Sequence, residues 1–160
     1  MMKKFALSLI IAVVAITISL GQAGSLDSYF SKYQEDESFT VVNISSSMFA
    51  AISGLETDAI DPEVKAILDN ITGMKILNKA SNGDRYFDEA MQLIKTKGLE
   101  ELMSIKEKGE NIRIYGKSDG SKYLKEVVML RGDKSNFILM QVQGKLSIEQ
   151  LGKLSKTLNK

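Results

Sequence analysis

The sequence predicts an α+β domain with several short helices and a mixed, mainly antiparallel sheet of about five strands. Three strand-length apolar runs follow one another between residues 111 and 144, and Asp-Gly and Gly-Asp turns separate them. Apolar runs divided by such turns are typical of an antiparallel meander. Upstream of the meander, helical patterns outnumber strand patterns, so helices and strands are partly segregated along the chain. That order is the one expected of an α+β fold.

Each helix is predicted from apolar residues that recur every three or four positions. This spacing marks helices at 26–33, 48–52, 62–71, 84–94, 99–103 and 148–158. Asp61-Pro62 has the form of an N-cap followed by proline in the first turn, and Asp84 is the expected cap of the next long helix. Phe39–Ser45 and Met74–Ala80 are predicted strands because β-branched and other apolar residues dominate them. Within the meander, Val127–Leu130 and Ile138–Met140 are continuously apolar, which indicates strands covered on both faces over part of their length.

Residues 1–23 have the organisation of a signal peptide. Lys3 and Lys4 form a basic start, Phe5–Leu20 is an apolar or hydroxyl-containing run, and cleavage is expected after Gly21 or Ala23. The alternative is an uncleaved anchor, although the apolar run is short for a membrane span. We therefore expect residues 24–160 to form one domain in the periplasm or outside the cell, without a stable membrane anchor after cleavage.

Composition removes several classes of chemistry. The chain contains no histidine and no cysteine, and so lacks the commonest general base, the commonest metal ligand and any disulfide. Loss of Lys3 and Lys4 lowers the formal charge of +1 by two, leaving a nearly neutral chain. A nearly neutral exported protein lacks the basic surface needed for nucleic-acid binding. The sequence also shows no complete catalytic motif, so we expect no enzyme activity and no cofactor.

Glu126 is the most unusual residue of the predicted sheet. It lies inside an apolar strand, where a period of two places it on the same face as Leu124 and Val128. One interpretation is a buried acid with a raised pKa. The other is a carboxylate paired with Arg113 or Lys117 on the neighbouring strand, which avoids a lone buried charge. The residues predicted to form a polar face on the sheet, which either binds a partner or simply meets water, are Arg113, Tyr115, Lys125, Glu126, Gln141 and Gln143.

Two further motifs have simpler explanations. Arg131-Gly132-Asp133 matches an integrin-recognition tripeptide, but it falls where a hairpin needs turn residues. The carboxylates at positions 56, 58, 61 and 63 surround a helix start and lack the spacing of a calcium loop. We therefore predict no metal site.

Several of these stretches together resemble a family of exported Bacteroidetes proteins catalogued as domain of unknown function 4252. The residues that carry the resemblance lie in the segments 30–33, 39–45, 48–49, 98–103, 111–115, 125–130 and 137–144. The resemblance covers nearly all of the chain after residue 23. It implies export and one shared fold, and it implies no activity.

Three functions remain open from the sequence. The first is a non-catalytic binding or envelope-signalling accessory domain whose partner is an envelope protein. The second is a module for a small ligand or lipid, with a cavity formed by helices that carry Met48, Phe49, Phe87 and Met91 against the sheet. The third is a hydrolase that uses Glu126 and a second carboxylate.

Overall fold

The fold is an antiparallel sheet of six strands with helices on both faces. The structure is a computed structural model that describes residues 26–55 and 60–152. Its helices are α1 (Asp27–Tyr33), α2 (Ser46–Ser53), α3 (Pro62–Leu68) and α4 (Gly83–Lys95), and residues 148–152 are also helical. Its strands are β1 (Thr40–Ser45), β2 (Ile71–Lys79), β3 (Glu100–Glu107), β4 (Glu110–Ser118), β5 (Tyr123–Gly132) and β6 (Phe137–Ser147). The predicted signal peptide lies outside the described residues, as do Glu56, Asp58 and the last eight residues.

Every neighbouring pair of strands is antiparallel, in the order β1-β2-β6-β5-β4-β3. The predicted meander is confirmed as β4, β5 and β6. The sheet has one strand more than expected, because 99–103 was predicted to be helical and β3 occupies that segment instead. β3 and β4 form a hairpin whose two turn residues, Lys108 and Gly109, both have positive φ angles. This is the turn that matches the twist of the flanking strands.

One face of the sheet, the covered face, is packed against α1 and α4. Its buried cluster joins aromatic and aliphatic residues of the two helices to those of the sheet, including Phe30, Phe87, Leu77, Val128 and Leu139. α4 presents Phe87, Ala90 and Ile94 on one side, as its spacing predicts. At Gly132 on β5 an added Cβ would lie 2.8 Å from the Cβ of Phe87, so the absence of a side chain permits this close approach.

The opposite face, the open face, is covered by residues of the ranges 26–55 and 60–152 at one end only. There a smaller cluster joins Phe49 of α2 and Ile67 of α3 to Ile71, Leu124 and Leu146. α3 begins as predicted, since the Asp61 side chain accepts a hydrogen bond of 2.7 Å from the backbone N–H of Glu63 and Pro62 follows it. α3 ends at Leu68, earlier than predicted, and β2 begins at Ile71. The central strands β5 and β6 contribute to both clusters, so they are covered on two faces over part of their length, as predicted. Met129, Ile138 and Met140 of the predicted apolar runs belong to neither cluster, so the two-sided cover does not extend over the whole of those runs.

Candidate functional site

Five of the six predicted polar residues lie on the covered face, in three neighbouring rows of the sheet. Glu126 accepts a hydrogen bond of 2.9 Å from the side-chain nitrogen of Gln141 on β6. The exposed fractions are 7% for Glu126 and 1% for Gln141, so the pair is shielded from water. The amide donor of Gln141 replaces part of the hydrogen bonding with water that the carboxylate gives up on burial.

A β-bulge determines which face Glu126 occupies. Residues 124–126 of β5 lie opposite 117–118 of β4, so β5 has one extra residue there, and the register with β6 shifts at the same place. The extra residue interrupts the alternation of faces along β5. Leu124 consequently packs in the open-face cluster, whereas Val128 packs in the covered-face cluster. The expectation that Glu126 shares a face with both residues is therefore wrong, and Glu126 lies with Val128 only.

The two predicted ion-pair partners of Glu126 are engaged elsewhere. Arg113 donates to the Glu101 carboxylate at 2.9 Å, across β3 and β4. Lys117 is the register partner of Glu126 but donates from Nζ to the backbone carbonyl of Lys97 at 3.3 Å. The partner of Glu126 is Gln141 on β6, which the sequence did not predict. It lies on the same face because Glu126 is registered with Gln143, two residues further along β6.

The remaining predicted residues divide between buried and accessible positions. Tyr115 is buried in the covered-face cluster, where burial, followed by the nearby Glu101 carboxylate, raises the pKa of its phenol. Gln143 is half-buried, and Lys125 is exposed at the bulge. Arg113, Tyr115, Glu126, Gln141 and Gln143 thus share one face as predicted, but its centre is covered by helices. Their role in binding stays a prediction.

The accessible feature that the sequence analysis missed is an apolar row on the open face. The row runs across all six strands in register, one residue from each, and we call it the open row. Its members are Val42, Ile76, Met140, Met129, Ile114 and Met103. None of them belongs to either buried cluster. The exposed fractions are 37% for Val42 and 44% for Met103, and the four residues between them are half-buried.

Apolar residues continue beside the open row, and polar groups border them. Ile138, Ile112 and Ile105 lie in the next row, and Ile105 is 42% exposed. The same row contains Arg131, whose Nε lies 2.5 Å from the Glu110 carboxylate. Each residue covers roughly 4.8 by 6.7 Å of one sheet face, so the six apolar residues of the open row and the three of the next row have a footprint of about 300 Å². Exposed apolar patches of this order are often binding surfaces.

Two polar clefts lie at the ends of the sheet. One, of about 700 Å³, lies between the β3–β4 turn and residues 133–136. The other, of about 410 Å³, is lined by Asn70, Tyr123, Lys145 and neighbouring polar residues. Within residues 26–55 and 60–152 no group of acidic side chains is arranged to hold a metal ion. No helix in those ranges has the length and apolar character needed to cross a bilayer.

The expected apolar cavity is not formed by the four residues proposed for it. Phe49 belongs to the open-face cluster and Phe87 to the covered-face cluster, so the sheet separates them. Met91 packs with Phe87, while Met48 is 55% exposed. The physical reason is that α2 and α4 pack against opposite faces of the sheet, which helical spacing does not reveal.

The architecture is that of an α+β protein built on one antiparallel sheet, with one face covered and the other partly open. Residues 33–154 match the family described as a domain of unknown function, DUF4252, and the chain belongs to that family. No curated protein and no solved structure matches the chain.

Proposed function

We propose that the protein is an exported, non-catalytic binding domain whose open face docks another protein of the cell envelope. The observation that carries the proposal is the open row, an unbroken series of six apolar side chains that is accessible at both ends. Binding a partner that removes this apolar surface from water lowers the free energy of the complex. Export is proposed from the organisation of residues 1–23.

The border of the open row favours a protein partner over a lipid surface. The Arg131–Glu110 ion pair, Asn78 and Thr40 stand beside the apolar residues on the same face. An apolar centre with a polar rim is the usual anatomy of a protein–protein interface. The apolar footprint of about 300 Å² is smaller than the roughly 800 Å² that each partner contributes to a standard interface, so the row forms the centre of a larger contact.

We propose that the protein is not an enzyme because of the surroundings of Glu126, the carboxylate on which the hydrolase hypothesis depends. This carboxylate is buried, accepts a hydrogen bond from Gln141, and lines neither of the two clefts. A hydrolase that depends on carboxylates needs two of them beside a bound substrate. Activity on a hydrolase panel that disappears with Glu126→Gln would contradict this part of the proposal.

The test is capture of partners from envelope extract with two matched variants on one strand. Val42→Glu places a charge at the accessible end of the open row. Asn43→Glu places the same charge on the neighbouring residue, which points to the opposite face and is also exposed. We expect one protein to recur with the wild type and with Asn43→Glu and to be lost with Val42→Glu.

Two other outcomes would contradict the proposal. Equal capture by both variants would show that binding does not use the open row. Recovery of lipid without any recurrent protein, together with binding of the wild type to vesicles of envelope lipids that Val42→Glu abolishes, would assign the open row to a lipid surface instead.

A further inference from the structure

The edge strand β3 is the second unpartnered feature of the sheet. Within the part of the chain that the structure describes, it pairs with β4 only, and all eight of its residues are exposed. Leu102, Met103 and Ile105 are the large apolar residues among them, exposed by 43%, 44% and 42%. An edge strand offers unpaired backbone N–H and C=O groups to another strand.

The hairpin fixes which backbone groups of β3 are unpaired. Glu107 and Glu110 flank the two-residue turn, so they form a pair that exchanges two hydrogen bonds. Hydrogen-bonded and non-hydrogen-bonded pairs alternate along the two strands from this pair. The backbone groups of Ile105 and Met103 therefore form hydrogen bonds with β4. The backbone N–H and C=O groups of Ser104 and Lys106 therefore point away from β4, toward the free edge.

From this arrangement we infer that β3 pairs antiparallel with β3 of a second copy, about a two-fold axis at Ser104. About this axis the Ser104 residues of the two copies lie opposite each other. Met103 of each copy lies opposite Ile105 of the other, so the symmetry creates this contact twice. Met103 and Ile105 share the open face, so the apolar surface continues across the junction. The three central residues of this pairing carry no charge.

Charge along β3 favours this direction of pairing. The strand starts with Glu100 and Glu101, and Lys106 and Lys108 stand at its other end, with Glu107 between them 4.0 Å from Lys108. About the axis at Ser104, antiparallel pairing sets Glu100 of each copy opposite Lys108 of the other, and the Glu101–Glu107 pair beside it lies next to the same lysine. Parallel pairing in register would set every charged residue of β3 opposite its own kind, which is the less favourable arrangement. The β-bulge at Glu101–Met103 limits the ladder to a few residues, so we expect a reversible dimer and not a fibre.

Dimer formation through β3 is separate from the binding function proposed above, and a disulfide cross-link between the two copies provides its first test. Because the chain has no cysteine, Ser104→Cys introduces a single thiol on the proposed axis. Residues paired across the axis have Cα atoms about 5.5 Å apart, which lies within the range of a disulfide. The matched control is Ser118→Cys, an exposed serine at the end of β4.

Both variants are expressed as full-length chains, purified in the form that the cell produces, and oxidised under the same conditions. We expect the disulfide-linked dimer of Ser104→Cys to form at least about ten times faster than that of Ser118→Cys, because pairing raises the effective concentration of the thiols. Equal rates for the two variants would overturn the inference.

Sedimentation velocity on proteins without the added thiol gives an independent reading. Ser104→Pro removes an N–H that points to the free edge, and proline is tolerated at such positions. We expect this variant to weaken the dimer at least about tenfold, and Ser104→Ala to change it less than about twofold. A monomeric wild type, or a dimer that Val42→Glu breaks and Ser104→Pro does not, would contradict pairing through β3. Neither result would alter the capture experiment, which depends on Val42 at the opposite edge of the sheet.

Discussion

The hydrogen bond between Glu126 and Gln141 predicts a strong energetic coupling between these two residues. Gln141→Leu preserves approximate volume but removes the donor, so a buried carboxylate loses the partner that lies at 2.9 Å. A hydrogen bond to a charged group contributes about 1.5–3 kcal/mol, and an unpaired buried group adds its own desolvation cost. We expect Gln141→Leu to lower the free energy of unfolding by about 2–3 kcal/mol.

The other variants complete a double-mutant cycle. Glu126→Leu leaves the Gln141 amide without its acceptor, and we expect a loss of about 1–2 kcal/mol. The double variant replaces both polar groups with apolar ones and should lose about 1 kcal/mol or less, because no buried group is then unsatisfied. The coupling energy of the pair should therefore be about 2–4 kcal/mol.

The assay is urea unfolding followed by circular dichroism, since the chain contains no tryptophan. Gln143→Leu is the matched control, because Gln143 is on the same strand and face but is half-buried, and we expect a change within about 0.5 kcal/mol. Losses that add to within about 0.5 kcal/mol in the double variant would refute the reasoning. Additive losses would mean that Glu126 and Gln141 do not depend on each other in the folded protein.

Three further predictions concern the turns and the helix packing. Gly132→Ala should destabilise the fold by about 1–3 kcal/mol, because the new Cβ would lie 2.8 Å from the Cβ of Phe87; an unchanged melting temperature would contradict this packing. Gly109→Ala should cost about 1 kcal/mol, since φ is +86° at that turn, and urea unfolding with no loss would argue against the hairpin geometry. Backbone N–H groups of Ser135 and Asn136 lower the pKa of Asp133 below its usual value of 3.8, so its stabilising effect is present above that pH and is lost as the pH falls below it. Asp133→Asn keeps the acceptor but cannot titrate, and should reduce the slope of stability against pH below about 4; an identical slope would contradict the assignment.

Local signals predicted the elements whose residues alternate or repeat regularly. The turn residues around 118–121 and 131–136 predicted the meander, and Asp61-Pro62 predicted the start of α3. In these stretches, the local preference of the chain and its place in the sheet agree. Asp84 was expected to cap α4, but the helix begins one residue earlier, at Gly83, and Asp84 lies in its first turn.

β-bulges explain the two main errors of the sequence analysis. The bulge between Glu101 and Met103 interrupts the alternation along β3, and the side chain of Leu102 lies over Gly116 on the open face with Met103 and Ile105. Neighbouring apolar residues on one face imitate helical spacing, so this strand was predicted to be a helix. The second bulge changes the face of Leu124 relative to Glu126. A bulge is set by the pairing of two strands, so the sequence of one strand does not reveal it.

The open row was missed because it exists only in the register of six strands. Its residues are ordinary apolar members of their own strands, separated by up to about a hundred positions along the chain. The polar residues of β4, β5 and β6 were instead predicted to share one face, and all of them do except Lys125, which lies at the bulge. The sequence did not reveal that α1 and α4 cover the centre of that face, because the side on which a helix packs depends on contacts between distant segments.

The measurement that tests the central claim most directly is site-specific photo-crosslinking in cells that express the full-length chain. A photoreactive amino acid is placed at Val42 on the open face or at Asn43 on the other face of the same strand. The open-face account predicts that one protein product recurs at position 42 and is absent at position 43. The same product at both positions, or a product at position 43 alone, would contradict it.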